Sequence, residues 1–163
     1  MMGAGKTLYA GKWSKVINAD AYDLDDRIIE EEGMSITEIF NQKGEDYFRK
    51  KEADLLRSFA GKDNFILATG GGVPCFYENM HWMNQNGITI WLNELPKILY
   101  GRLKQAKAHR PLLKDLDDVA LSIYLDKKMT EREPYYSQAK YIFTGKEIST
   151  KKFMEVINEN YGK

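Results

Sequence analysis

Apolar residues in this chain fall into two patterns that take turns. Short unbroken runs, Phe65-Ile66-Leu67-Ala68-Thr69 and Ile88-Thr89-Ile90-Trp91-Leu92, have the length and bounding of strands buried on both faces. Ala19-Asp20-Ala21-Tyr22-Asp23 reads as a short strand ending in acid, and Tyr141-Ile142-Phe143-Thr144 as the last strand. Between them lie stretches suited to helices. One runs from Leu8 to about Ile17, and another from Asp26 to Glu32, where Gly33 supplies a C-terminal stop. Ser35-Ile36-Thr37-Glu38 is a capping box that opens a short helix through Phe40. Glu45 to Phe59 is a longer amphipathic helix with Phe48, Leu55, Leu56 and Phe59 on its apolar side. Leu95 to Lys107 carries Pro96 in its first turn. A helix from Asp117 to Arg132 is expected to stop near Pro134, and a last helix covers Lys151 to about Tyr161. Strands alternating with helices predict an α/β domain whose mostly parallel sheet is covered on both faces. In such sheets ligands collect at the C-terminal ends of the strands.

Composition narrows the class. A chain of 163 residues with 43% hydrophobic and 12% aromatic content has ample material for one core and reads as a single domain, 1–163. Its 24 basic residues balance 24 acidic ones, which argues against a nucleic-acid or membrane-surface partner. A single cysteine, Cys75, excludes an intrachain disulfide and fits a reducing compartment, so a cytoplasmic location is expected. Cys75 itself reads as a small core residue.

Chemistry concentrates at the predicted strand ends. Gly3-Ala4-Gly5-Lys6-Thr7 is the tail of a phosphate-binding loop, G-x-x-x-x-G-K-[ST]. Small residues let backbone N–H groups approach phosphate oxygens, Lys6 adds a mobile positive charge, and Thr7 offers a hydroxyl for magnesium. Asp23-Leu24-Asp25 places acids two positions apart at a strand end. Either they serve a metal and an attacking hydroxyl, or Asp25 or Asp26 caps the next helix. Gly70-Gly71-Gly72 follows a buried strand, where another group must come close to the backbone or the chain simply turns. Arg49 and Arg132 are either exposed helix arginines or a pair for bidentate carboxylate recognition. Lys104, Lys107, His109, Arg110 and Lys114 form either a solvated basic face or a lid over nucleotide phosphates. Pro111 keeps Arg110 extended, which suits a loop.

In that order, these pieces resemble the shikimate kinase family. The resemblance runs from Met1 almost to the C-terminus. Besides the loop and the acid pair it rests on Gly33-Met34-Ser35-Ile36-Thr37-Glu38-Ile39-Phe40, Gly44-Glu45-Asp46-Tyr47-Phe48-Arg49 and Ala68-Thr69-Gly70-Gly71-Gly72. Arg110-Pro111-Leu112-Leu113 and Arg132-Glu133-Pro134-Tyr135-Tyr136 complete it. It implies a P-loop kinase fold, a three-layer α/β/α sandwich, with substrate-binding helices at about 26–59 and a lid at about 103–116. It implies ATP-dependent phosphorylation of shikimate to shikimate 3-phosphate by a magnesium-dependent monomer. Gly3, Ala4, Gly5 and Lys6 would cradle ATP. Thr7 would ligate Mg²⁺, and Asp23 would hold it through water. Asp25 would bind and activate the attacking hydroxyl, and Lys6 and Arg110 would act on the transferring phosphoryl. Arg49, Arg132 and the Gly70–Gly72 segment would hold shikimate, and Arg102 would lie near adenine. Where the family usually has a second hydroxyl residue after the loop lysine and threonine, this chain has Leu8 in the ATP site.

Two alternatives remain at this point: a related small-molecule kinase resembling gluconate kinase, and a binding homologue without catalysis. One further expectation concerns the start of the chain. Counting back from Gly5, the first loop glycine falls just before Met1. The resemblance places the strand leading into the loop mid-sheet, between the strands ending at Thr69 and Leu92. That strand is therefore expected to be absent from this stretch, and Met1 to be an internal residue or a mis-assigned initiator.

Overall fold

A computed structural model describes residues 1–106 and 116–162. Helix α1 (Lys6–Ile17) leads into strand β1 (Asp20–Asp23), which passes without a loop into α2 (Leu24–Glu32). Helix α3 (Ile36–Arg57), β2 (Phe65–Ala68), a 3₁₀ turn (Val73–Cys75) and α4 (Asn79–Asn86) follow. Then come β3 (Ile90–Asn93), α5 (Pro96–Ala106), α6 (Asp118–Tyr136) and β4 (Tyr141–Thr144). A second 3₁₀ turn (Gly145–Glu147) and α7 (Thr150–Tyr161) complete the order. Most of the expected lid, Arg110 with it, lies outside the described residues.

All strand pairing is parallel, as the alternating pattern requires. β1 pairs with β2 from Asp20↔Phe65 to Asp23↔Ala68, and β3 pairs with β4 from Ile90↔Tyr141 to Asn93↔Thr144. Among the described residues no strand joins β2 to β3, so the sheet stands as two 2-stranded halves. The gap falls where the resemblance places the strand that leads into the phosphate-binding loop.

Two apolar clusters support the halves. Leu24, Ile28, Ile39, Phe48, Leu56 and Val73 pack under the β1–β2 half. Trp13, Trp91, Leu103, Leu121, Phe143 and Phe153 fill the β3–β4 half. Helix α1 touches both: it packs along β1 and β2, while its Trp13 ring stacks on Phe153 of α7 at 4.6 Å and meets Phe143 of β4 edge-on. No described helix is long and apolar enough to cross a membrane.

Several boundaries differ from expectation. The capped short helix extends past Phe40 to Gly44, whose non-helical backbone (φ 84°) divides α3 into two helices, the second being the amphipathic one expected from Glu45. The Ser35–Glu38 capping box is present as read. Helix α6 does not stop at Pro134 but runs on to Tyr136. Proline deprives the carbonyl four residues back of its donor; here Thr130 is exposed, so water can serve it. The strand expected over Ile88–Leu92 is shifted to Ile90–Asn93. Helix α4 was unreadable, because Asn79-Met80-His81-Trp82-Met83-Asn84 has no clean apolar stripe.

Ile28, fully buried between α2 and its neighbours, tests the smaller cluster. Ile28→Ala should lower unfolding free energy by about 2–5 kcal/mol, whereas Ile123→Ala, at an exposed position, should stay within about 0.5 kcal/mol. Urea denaturation of the two variants checks this.

Candidate active site

The chain enters α1 through a left-handed residue, Gly5, with φ of 88°. A side chain there would be strained and would press on the Tyr9 ring. No side chain caps this helix, so its first N–H groups remain available to an anion. Lys6 Nζ donates back to the Met1 carbonyl at 2.8 Å, which folds the lysine over the loop. Arg102 Nη1 donates to the Gly3 carbonyl at 2.9 Å, and its Nη2 lies 3.2 Å from Oε2 of the buried Glu94. Arg102 is thus tied to the phosphate loop itself. Leu8 is 71% exposed.

The acid pair sits where β1 becomes α2. Asp23, not Asp25 or Asp26, caps that helix: its Oδ1 accepts from the Asp25 N–H at 3.0 Å. Its other oxygen, Oδ2, accepts from Thr7 Oγ1 at 2.5 Å. A hydroxyl and a carboxylate are therefore side by side at the start of α1. Hard oxygen donors of this kind suit Mg²⁺, which takes one or two carboxylates and completes its shell with phosphate and water. Asp25, freed from capping, keeps a buried Oδ1 without a hydrogen-bond partner. Burial foremost, and then the charge of Asp23, push its carboxyl above the usual range.

The three glycines explain how the remaining groups converge. An added Cβ on Gly70 would lie 2.9 Å from Asp25 Oδ1 and 3.0 Å from Glu52 Oε1. On Gly71 it would lie 2.8 Å from Arg132 Nη1, and on Gly72 it would overlap the Arg49 guanidinium. Each glycine is bare because a charged side chain rests against it. The segment is a built contact surface rather than a simple turn, and it brings Asp25, Arg49 and Arg132 to one place.

Arg49 is held on three sides. Its Nε and Nη2 donate to Glu45 Oε1 at 3.1 and 3.0 Å, its Nη1 donates to Glu52 Oε2 at 2.7 Å, and the Phe76 ring lies 4.7 Å away. Glu52 is 1% exposed, and burial pushes its carboxyl up to about 7 against the pull of Arg49. Tyr136 Oη donates to the Gly71 carbonyl at 2.6 Å and fixes the turn beside Arg132. Burial pushes the Tyr136 hydroxyl up to about 12, with Arg132 opposing.

Glu52, Glu94 and Tyr136 escaped the sequence reading. Glu52 follows Arg49 by three, the usual spacing of a surface helix pair, and only its burial distinguishes it. Nothing local to the Tyr135-Tyr136 doublet tells the buried Tyr136 from the exposed Tyr135.

A helix start open to phosphate, oxygen donors beside it, and a buried carboxylate facing two arginines define the class. This is a nucleotide-dependent kinase for a small anionic acceptor. Comparison with known proteins carries this further. A family model described as shikimate kinase matches residues 2–161. A shikimate kinase of Bacteroides thetaiotaomicron is 40% identical over 147 residues, covering 90% of this chain and 84% of that protein. One from Flavobacterium psychrophilum is 39% identical over 142 residues, covering 86% and 83%. The crystal structure of a B. thetaiotaomicron shikimate kinase superposes with a TM-score of 0.88 at 36% identity, covering 98% of this chain and 93% of the other. The enzyme from Acinetobacter baumannii in complex with shikimate gives 0.86 at 28%, covering 99% and 91%. The chain belongs to the shikimate kinase family.

The buried Glu52 makes stability depend on pH. Between the usual 4.5 and about 7 the folded chain keeps a proton at Glu52 that the unfolded chain has released. The stability owed to this group is therefore complete below 4.5 and falls as pH rises through about 7. The Tm of the wild type minus that of Glu52→Gln should decline across this window. A flat difference would mean that Arg49 keeps Glu52 ionised throughout.

Proposed function

We propose that the crevice at the strand ends carries out the family's reaction, phosphoryl transfer from ATP to shikimate, with the residue roles that follow. The carrying observation is the convergence of Asp25, Arg49 and Arg132 on consecutive glycines. Shikimate offers one carboxylate and several ring hydroxyls. Arg49 and Arg132, resting against Gly72 and Gly71, take the carboxylate, and bidentate pairing sets the ring's orientation. The Gly71 N–H adds a donor beside them.

Asp25 then faces a hydroxyl. Its Oδ1 has no protein partner and its proton affinity is raised by burial, the two properties wanted in a general base. The hydroxyl oxygen forms a bond to the γ-phosphorus of ATP, its proton passes to Asp25, and the bond from that phosphorus to the bridging oxygen breaks to release ADP. The Gly3–Lys6 backbone and the Lys6 ammonium hold the phosphates at the start of α1. Thr7 and Asp23 would hold magnesium there, and the bound ion would neutralise charge on the phosphate oxygens. Most of the acceleration in such a site comes from alignment and fixed charge. Arg110, outside the described residues, supplies the lid charge in this reading. Arg102 orders the phosphate loop through the Gly3 carbonyl and lies toward the adenine side. The helices over 26–59 carry the acceptor site.

Family membership removes the gluconate kinase alternative. Lys6, Thr7 and Asp25 are all kept in this chain, which speaks against an inert binding homologue.

Asp25→Asn should lower kcat by about 10²–10⁴-fold while leaving ATP affinity near the wild-type value. Shikimate-dependent ADP release and nucleotide titration measure the two, and normal turnover would remove Asp25 from the mechanism. Gly72→Ala should push Arg49 aside and raise KM for shikimate by about tenfold, or about 1.4 kcal/mol, with KM for ATP little changed. An equal loss for both substrates would indicate general misfolding.

A further inference from the structure

Both ends of one short segment close on Arg49. Its guanidinium rests against Gly72. Further along, the Phe76 ring lies 4.7 Å from its Cζ, nearer than Phe48 at 5.3 Å or Phe40 at 5.8 Å. Phe40 and Phe48 belong to α3, the element that carries Arg49. Phe76 instead follows the Val73–Cys75 turn and is 38% exposed. An aromatic face this close attracts a guanidinium and limits its orientation, but only while the ring is held in place. Whatever holds Phe76 therefore contributes to the aim of Arg49.

The backbone just after Phe76 is strained. Tyr77 and Glu78 are both left-handed, with φ of 51° and 54°. Neither is a glycine or an asparagine, and bulky side chains are disfavoured in that region. Such strain persists only where the surroundings over-determine the backbone. Here Arg57 and Asn79 do so. From the end of α3, Arg57 donates through Nη2 to the Tyr77 carbonyl at 2.7 Å. Its Nη1 donates to Asn79 Oδ1 at 2.8 Å and to the Ala53 carbonyl at 2.9 Å. Asn79 is fully buried. Its side-chain amide donates to the Val73 carbonyl at 2.9 Å, and its backbone N–H to the Phe76 carbonyl at 2.9 Å. The carbonyls of Val73, Phe76 and Tyr77 are thus all gripped from one place.

Among the described residues no carboxylate pairs with Arg57. Its planar fork serves neutral oxygens on two separate elements, a geometry that a lysine ammonium does not reproduce. A staple between α3 and α4 would need only the Asn79 contact. The bond to the Tyr77 carbonyl is the one that reaches the strained turn.

We propose that Arg57 is a positioning residue for the acceptor site: by holding the strained Tyr77–Glu78 turn it keeps the Phe76 ring against the Arg49 guanidinium, and so sets how Arg49 meets the substrate carboxylate. Asn79 carries the same grip back to the turn that follows the three glycines. The consequence for shikimate rests on the proposed function of the crevice, whereas the relay from Arg57 through Phe76 to Arg49 does not.

The relay is tested first without substrate. In the isotope-labelled chain the Nε–H resonance of Arg49, identified by its loss in Arg49→Lys, senses the ring current of Phe76. It should shift in Phe76→Leu, and in the same direction in Arg57→Lys. Kinetics follow. Each of these two variants should raise KM for shikimate by about threefold to tenfold, with KM for ATP little changed. The double variant should be no worse than Phe76→Leu alone, because Arg57 acts through that ring. Tyr77, 51% exposed, supplies a test that leaves Arg57 intact. Tyr77→Val, β-branched and averse to a left-handed backbone, should shift the Arg49 resonance and raise KM for shikimate, while Tyr77→Asn should leave both near wild type. An unmoved Arg49 resonance in folded Arg57→Lys overturns the proposal. Where that variant does not fold, an unmoved resonance in Tyr77→Val does so. Effects of Arg57→Lys and Phe76→Leu on KM that multiply also overturn it, by making Arg57 a general staple of the fold. A wild type that releases no ADP in response to shikimate overturns the proposed reaction instead, and the Arg49 resonance still decides the relay.

Discussion

The site depends on three consecutive residues having no side chain. Asp25 and Glu52 lean on Gly70, Arg132 on Gly71 and Arg49 on Gly72. These groups come from α2 and α3, which precede β2 in the chain, and from α6, which follows it at a distance. What unites them is a backbone ribbon at the end of β2 that presents only main-chain atoms. A single methyl at any of these positions would collide with a charged group in a crowded interior, where neighbours have little room to yield. The substrate end of the crevice is thus built around β2, and the phosphate end around α1.

The two ends are joined through β1. Asp23 closes that strand, caps α2 with one oxygen and accepts the Thr7 hydroxyl of α1 with the other. One carboxylate thereby sets the distance between the phosphate loop and the acid that follows it. Helix α1 extends the same function to the far half-sheet, because Trp13 packs into the cluster formed with β4 and α7. Arg102, drawn to the Gly3 carbonyl and braced by buried Glu94, ties α5 to the loop from the opposite side. Among the described residues no strand joins β2 to β3, and side-chain packing and these polar ties connect the two halves.

Much of this was legible in the amino-acid sequence because it is local. Gly-Ala-Gly-Lys-Thr before a helix, acids closing a strand and a glycine triplet after a strand each express their physics within a few residues. Capping by Ser35 and Glu38 likewise came out as read. What stayed hidden is information held between elements. Arg49 and Glu52 look like an exposed helix pair until β2 and α2 bury them. The expected caps, Asp25 and Asp26, lie inside the first turn, and the cap is the strand-ending Asp23, because β1 passes into α2 without a loop. Pro134 signals a stop, but near an exposed helix end the lost hydrogen bond costs little, and the helix continues. Strand pairing is the extreme case: nothing in the runs of β2 or β3 alone shows that the two do not touch.

The environment of Arg49 explains why a carboxylate, Glu52, is buried beside it. An arginine half-buried among Phe40, Phe48 and Phe76 is an expensive group to leave uncompensated. Glu45 and Glu52 supply the counter-charge before substrate arrives, and they fix the guanidinium so that little ordering remains for binding to provide. Permanent full neutralisation would weaken the arginine's hold on a third carboxylate. Glu52 avoids this because its own burial, beside Asp25, keeps its proton affinity near neutrality. A carboxylate arriving at Arg49 adds negative charge next to Glu52 and favours proton uptake there. Orientation of Arg49 and a proton that responds to the charge around it are then two consequences of one buried glutamate.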